Sequence, residues 1–198
     1  MPQPSELLGS ELWPAPGVAA RGVLATSAGL ASFALLGARD ARGVVVLAGE
    51  ELLLLQGLAR HAVRQGLGVL ALGGLPGPAG EVLLRAAMAL ARKRGATRLA
   101  LAVHGAWTGA ALQAATGATE ICALLDPHPT HADPTLLRGI PLWIAAGTES
   151  APAARALHAR AQHPRAIVEL RNVPRLENAV NDLASDLLPV LRHGLDGA

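Results

Sequence analysis

The sequence predicts a single-domain α/β protein: a three-layer α/β/α sandwich around a mostly parallel sheet. Three observations carry this. From Val44 onward, apolar strand-like runs alternate with helix-like stretches. The connections between them are short. The strand runs are apolar at successive positions, as in Val44 to Ala48, which fits strands buried on both faces. A chain of 198 residues is long enough for one domain with a full core.

Residues 1–20 read as an N-terminal arm and residues 21–198 as the domain. Pro2, Pro4, Pro14 and Pro16 keep the arm from forming a long element. Trp13 is expected to plug it onto the domain. Gly22 to Thr26 and Ser32 to Leu36 fit a two-strand hairpin around Ala28-Gly29. One small-residue helix is the alternative, which Gly29 disfavours. Val44 to Ala48 is a strand, and Leu52 to Gln65 a helix with Leu55, Leu58, Ala59 and Ala62 on one face. Leu67 to Leu72 is the next strand, followed by a glycine-proline loop. Glu81 to Arg94 is a second amphipathic helix, closed by Gly95.

A strand then runs to Val103, and a helix runs from Thr108 to Thr116. Glu120 to Leu125 is a strand and Asp126 to Arg138 a proline-rich connector. Ile140 to Ala146 is a strand, Ala151 to Gln162 a helix, Ala166 to Leu170 a strand and Asn178 to Arg192 the closing helix.

Composition narrows the function classes. With 51% hydrophobic and 16% charged residues the chain is no disordered segment. Aromatics are 2%, so the core is built from Leu, Val and Ala. The net charge of +2, the absence of a basic block and the scarcity of aromatics argue against nucleic acid as a partner. Lys93 is the only lysine, which suits a GC-rich genome or a thermophile. Cys122 is the only cysteine, so no internal disulfide or cysteine-based zinc knuckle forms. The N-terminus lacks the pattern of a signal peptide. The longest uncharged stretch, Gly22 to Ala38, is too polar to span a membrane. These features point to a soluble, cytoplasmic protein with no membrane partner.

The stretch Leu99 to Gln113 joins an apolar strand to a helix through a tight small-residue turn. It has the outline of a nucleophile elbow, in which G-x-S-x-G holds a serine at the top of a sheet. The five residues here are Gly105-Ala106-Trp107-Thr108-Gly109, with Trp107 in the serine's place. A second register puts Gly105 there, which is equally inert.

At this elbow the chain resembles the α/β-hydrolase superfamily, within it the dienelactone-hydrolase-like branch of small esterases. The resemblance spans about Ala41 to His193. It also rests on Gly43 to Gly49, Gly66 to Leu72, Ile140 to Gly147 and Val168 to Pro174. It implies a capless domain, since the connector between Asp126 and Ile140 is too short for a lid. It also implies a triad at Trp107, Glu149 and Asn178, with Glu177 the alternative to Asn178 at the histidine's place; only the acid position, at Glu149, keeps a suitable side chain. Trp107 carries no activatable hydroxyl. No histidine follows the last strand: His163 comes too early and His193 lies deep in the final helix. Gly49 runs straight into a helix, which cuts the oxyanion loop short.

Other residues compete for a role. His104 ends the elbow strand and could pair with Asp126, one strand over; packing without function is the plainer reading. An atypical hydrolase could use His104, Asp126 and His128. Gly49, Trp107, Thr108 and His104 would border a small acyl or anionic ligand at the elbow. His128, His131 and Asp133 are weak metal candidates in a connector whose prolines limit their convergence. Gly73 to Gly77 lacks both phosphate-loop and dinucleotide spacings, and no cofactor is expected. Leu52 to Leu55 exceed what one core face needs, which suggests a homo-oligomer such as a homodimer. The sequence therefore favours a pseudoenzyme acting as a binding or oligomeric scaffold. The alternative is an atypical hydrolase of small esters or lactones.

Overall fold

The computed structural model describes residues 18–27, 29–37, 41–115, 117, 119–137, 139–161 and 166–196. Trp13, His163 and the arm up to residue 17 lie outside them. The first strand starts at Val18, inside the span expected to be arm.

The strands are β1 (Val18–Thr26), β2 (Gly29–Leu36), β3 (Gly43–Gly49), β4 (Gly68–Gly73), β5 (Arg98–His104), β6 (Ile121–Leu125), β7 (Leu142–Ala146) and β8 (Ala166–Leu170). The helices are α1 (Leu52–Arg64), α2 (Gly80–Lys93), α3 (Thr108–Ala114), α4 (Ala151–Ala161) and α5 (Val180–Asp196). The eight strands form one sheet in the order β1-β2-β4-β3-β5-β6-β7-β8. β1 and β2 pair antiparallel, which settles the hairpin over the helix. β2 also meets β4 antiparallel, and the remaining pairs are parallel.

Strand periodicity explains the three layers. Along β3, Val44, Val46 and Ala48 enter one apolar cluster, while Val45 and Leu47 enter the other. The first cluster takes Leu83 and Leu84 from α2, Ala111 from α3 and Ala154 from α4. The second takes Leu54, Leu55 and Leu58 from α1 and Leu183, Leu187 and Leu191 from α5. Both faces of the central strands are thus covered. Leu54 and Leu55 of the four-leucine run are spent on the core. Trp143 is also core.

β8 is an edge strand, and it is only half covered: Ile167 is 55% exposed. No described helix is long and apolar enough to cross a membrane.

The parallel strands bring their carboxyl ends to one side of the sheet. The loops after β3, β5, β6, β7 and β8 meet there, and parallel α/β sheets place their sites at that end.

Candidate functional site

The sharp turn after β5 is made at Gly105. Its φ is +60°, a conformation that side-chain-bearing residues rarely adopt. Gly105 to Trp107 form one 3-10 turn that leads directly into α3. The turn residue is therefore Gly105, the position the second register takes. Trp107 lies two residues further on and is 0% exposed. Its indole N–H donates to the Gly74 carbonyl at 2.7 Å. Its ring offers no surface to a ligand; it is a packed core residue that ties the elbow to the loop after β4.

Glu50 supplies the reason for a glycine at 105. A Cβ on Gly105 would lie 1.9 Å from Glu50 Oε1. That oxygen accepts the Ala106 N–H at 3.2 Å. In a hydrolase elbow the residue after the nucleophile provides an oxyanion donor. Here the N–H that follows the turn residue is held by the protein's own carboxylate. Sequence reasoning took Glu50 only as part of a helix start. The available signal was its place directly after a strand buried on both faces. In the fold Glu51, not Glu50, stands at the N-terminal boundary of α1, and its side chain makes no capping hydrogen bond.

His104 is 1% exposed and sits between two carboxylates. Nδ1 is 3.8 Å from Glu50 Oε1, and Nε2 is 3.8 Å from Asp126 Oδ2. Both distances are too long for hydrogen bonds, and neither ring nitrogen has a partner among the described residues. The pairing expected with Asp126 follows from the register, in which His104 lies beside Leu125. A Cβ on Gly49 would lie 2.9 Å from the His104 Cβ. Gly49 thus makes room for the imidazole rather than facing a ligand.

Asp126 ties three loops together. It adopts φ +42°, in the left-handed region that Asp tolerates better than most residues. Oδ1 accepts the Gly147 N–H at 2.8 Å and the Ser150 hydroxyl. Oδ2 accepts the Leu176 N–H at 2.6 Å. Burial alone would raise its pKa. His104, Ser150, Leu176 and Gly147 together outweigh burial and bring it down to about 2.

Thr108 joins the elbow to the connector. Its hydroxyl donates to the Gly105 carbonyl at 2.7 Å and accepts the His128 N–H at 3.2 Å. The His128 ring reaches back toward Glu50, with Nε2 3.9 Å from Oε1.

His104, Asp126 and His128 are therefore brought together. They line a cavity of about 340 Å³ with Glu149, Ser150 and Arg175. Glu149 stands exposed at its rim. Asn178 does not line it; its N–H bonds the Arg175 carbonyl in the turn before α5. The guanidinium of Arg175 lies 3.3 Å from Glu51 and 3.4 Å from Glu177. Burial and the neighbouring Glu51 charge raise the Glu177 pKa against the pull of Arg175.

The metal candidates do not converge. Among the described residues no three His, Cys, Asp or Glu side chains could hold one ion. Asp133 bonds the Thr135 N–H and hydroxyl instead. His131 and His128 are both exposed on a connector that Pro127 and Pro129 keep extended.

No family model matches the chain, and no curated protein matches it in sequence. Solved structures do match. An esterase domain from a Rhodothermus marinus protein has a TM-score of 0.73 at 14% identity, covering 88% of this chain and 99% of that one. A dienelactone hydrolase from Anabaena variabilis has a TM-score of 0.69 at 16% identity, covering 89% and 97%. An alpha-beta serine hydrolase homologue from Coxiella burnetii has a TM-score of 0.67 at 12% identity, covering 89% and 99%. The chain has the α/β-hydrolase fold, with no cap among the described residues, and the matches cover 88–89% of its length.

Proposed function

We propose that this protein is a catalytically degenerate α/β-hydrolase-fold protein that acts through binding, as a homo-oligomer. One observation carries the reading: Gly105 makes the turn where the fold presents its nucleophile, and Glu50 occupies the adjoining amide. Acyl transfer needs a hydroxyl or thiol at that turn and free donors for the oxyanion. Gly105 has no side chain, and the Ala106 N–H is engaged. The fully buried Cys122 is no substitute, because burial pushes its thiol up to about 12. The exposed Ile167 and Leu170 on the edge strand β8 favour an oligomer.

The test is fluorophosphonate labelling of the purified protein, read by intact mass, beside hydrolysis of short chromogenic esters. The expected result is no adduct and no turnover above a heat-denatured control. A stoichiometric adduct would overturn the reading. Sedimentation velocity tests the oligomer, and a monomer at micromolar concentration would remove that part.

A second reading keeps some chemistry: His104, Asp126 and His128 around the cavity activate water for hydrolysis of small esters or lactones. The convergence of these three side chains favours it. It predicts turnover without a covalent adduct, lost in His104→Gln.

A further inference from the structure

His104 is buried with an acceptor on each side of its ring. Nδ1 faces Glu50 Oε1, directly after β3, and Nε2 faces Asp126 Oδ2, directly after β6, each at 3.8 Å. Neither nitrogen has a hydrogen-bond partner among the described residues. Buried polar groups are costly when left unpaired. An ionised carboxylate only accepts hydrogen bonds, and a neutral imidazole has one N–H and one lone pair. In either tautomer one ring nitrogen therefore meets a carboxylate with nothing to donate. The imidazolium has two donors for the two acceptors.

The surrounding charges carry the same bias. Burial would raise the Asp126 pKa, but its hydrogen bonds hold it at about 2, so Asp126 stays ionised wherever histidine titrates. Glu177, in the turn before α5, lies close enough for a charge on His104 to act on it. Arg175 is already paired with Glu51 and Glu177. The exposed His128 reaches the same Glu50 oxygen from the connector, at 3.9 Å. From α1 it is the apolar Leu55 that packs at Gly49, beside the ring.

We propose that His104 is a proton-operated clamp: once protonated, its two N–H groups bind Glu50 and Asp126 and draw the segments after β3 and β6 onto the end of β5. The proposal gives the elbow a regulation and rests on the non-catalytic reading above. Charge-assisted N–H···O bonds are about 1 Å shorter than the two 3.8 Å contacts, so closure needs only a small movement. The proton comes from solvent through the cavity that His104 lines with His128. Glu50 carries the event to the elbow, because the same Oε1 holds the Ala106 N–H while Oε2 has no partner. Fixing Glu50 on His104 secures its hold on that amide, and loss of the proton loosens it. Asp126 carries the event to the Gly147 and Leu176 amides.

The test is a titration of the full chain from about pH 8 to 5, followed by nitrogen NMR of the histidine rings and the backbone amides. Both His104 nitrogens are expected to become protonated, and the Ala106, Gly147 and Leu176 amide signals to move with the same midpoint. Exchange of the Ala106 amide, corrected for its intrinsic pH dependence, is expected to slow about tenfold. His104→Gln cannot titrate and should abolish the coupled movement, whereas His128→Gln should keep it. The wild-type titration decides the question even where His104→Gln fails to fold. Four results would overturn the proposal: a His104 ring that stays neutral throughout, amide signals that ignore its titration, the same movement in His104→Gln, or its loss in His128→Gln. Failure without a fluorophosphonate adduct removes the clamp and leaves the non-catalytic reading standing, whereas an adduct removes that reading.

Discussion

Glu50 Oε1 accepts the N–H of Ala106 at 3.2 Å and stands 1.9 Å from where a Cβ on Gly105 would be. One carboxylate thus fills the space that a side chain at 105 would take and engages the amide beside it. The missing side chain at the turn and the engaged amide are one structural fact.

That coupling is measurable. Gly105→Ala adds a Cβ at positive φ and forces Glu50 aside. It is expected to destabilise the protein by about 2–4 kcal/mol. Glu50→Ala in the same chain removes the steric part and leaves the backbone part. Urea denaturation of the two single variants and the double variant should give a coupling of about 1 kcal/mol or more. Strict additivity would mean that Glu50 does not sit against Gly105.

Asp126 predicts an acid limb of stability. Its pKa falls from 3.8 unfolded to about 2 folded. A carboxylate with a depressed folded pKa contributes stability that is full above about pH 4 and lost as pH falls toward 2. The contribution is roughly 1–2 kcal/mol. Asp126→Asn keeps the shape but loses the charge-assisted bonds. It should flatten the stability profile between pH 4 and 2, as followed by denaturant midpoints. An unchanged profile would show that these three loops are held by other contacts.

Trp107 is expected to behave as core. Trp107→Phe removes the donor to Gly74 and part of the ring, at a cost of about 1–3 kcal/mol. Trp107→Ala leaves a large void and should cost about 3–5 kcal/mol. Thermal melts of both variants order these effects. A neutral Trp107→Ala would mean that the indole fills a pocket the fold does not need.

Cys122 is fully buried in β6, and burial pushes its thiol pKa up to about 12. Native protein is expected to resist a disulfide reagent such as DTNB, with one equivalent of thiol reacting once the chain is unfolded in guanidinium. Fast reaction in native buffer would place β6 nearer the surface than the sheet order allows.

The layer architecture was legible in the sequence because burial on two faces leaves a local mark. Val44 to Ala48 reads as a central strand since every residue must face one apolar cluster or the other. Helix positions followed from the spacing of Leu55, Leu58 and Ala62, and later of Leu83, Leu84 and Ala87. That neither Trp107 nor Gly105 carries a hydroxyl was legible too. The choice between those two registers was not. It depends on which residue takes positive φ, and the tight turn contains two candidate glycines.

Glu50 escaped notice for a related reason. An acidic residue before a helix has an ordinary local explanation, and nothing nearby in sequence ties it to Ala106, 56 positions away. Asp126 was legible as a neighbour of His104, but not as a tie between loops. Its contacts with Gly147, Ser150 and Leu176 exist only because β6, β7 and β8 end side by side. By itself the sequence determined the strands and the helices, since these rest on periodicity and residue type. The tertiary structure alone decided that Glu50 closes the elbow, that His104 lies between two carboxylates and that Asp126 ties the loops. Those relationships depend on parallel strands bringing distant loops within a few ångströms of each other.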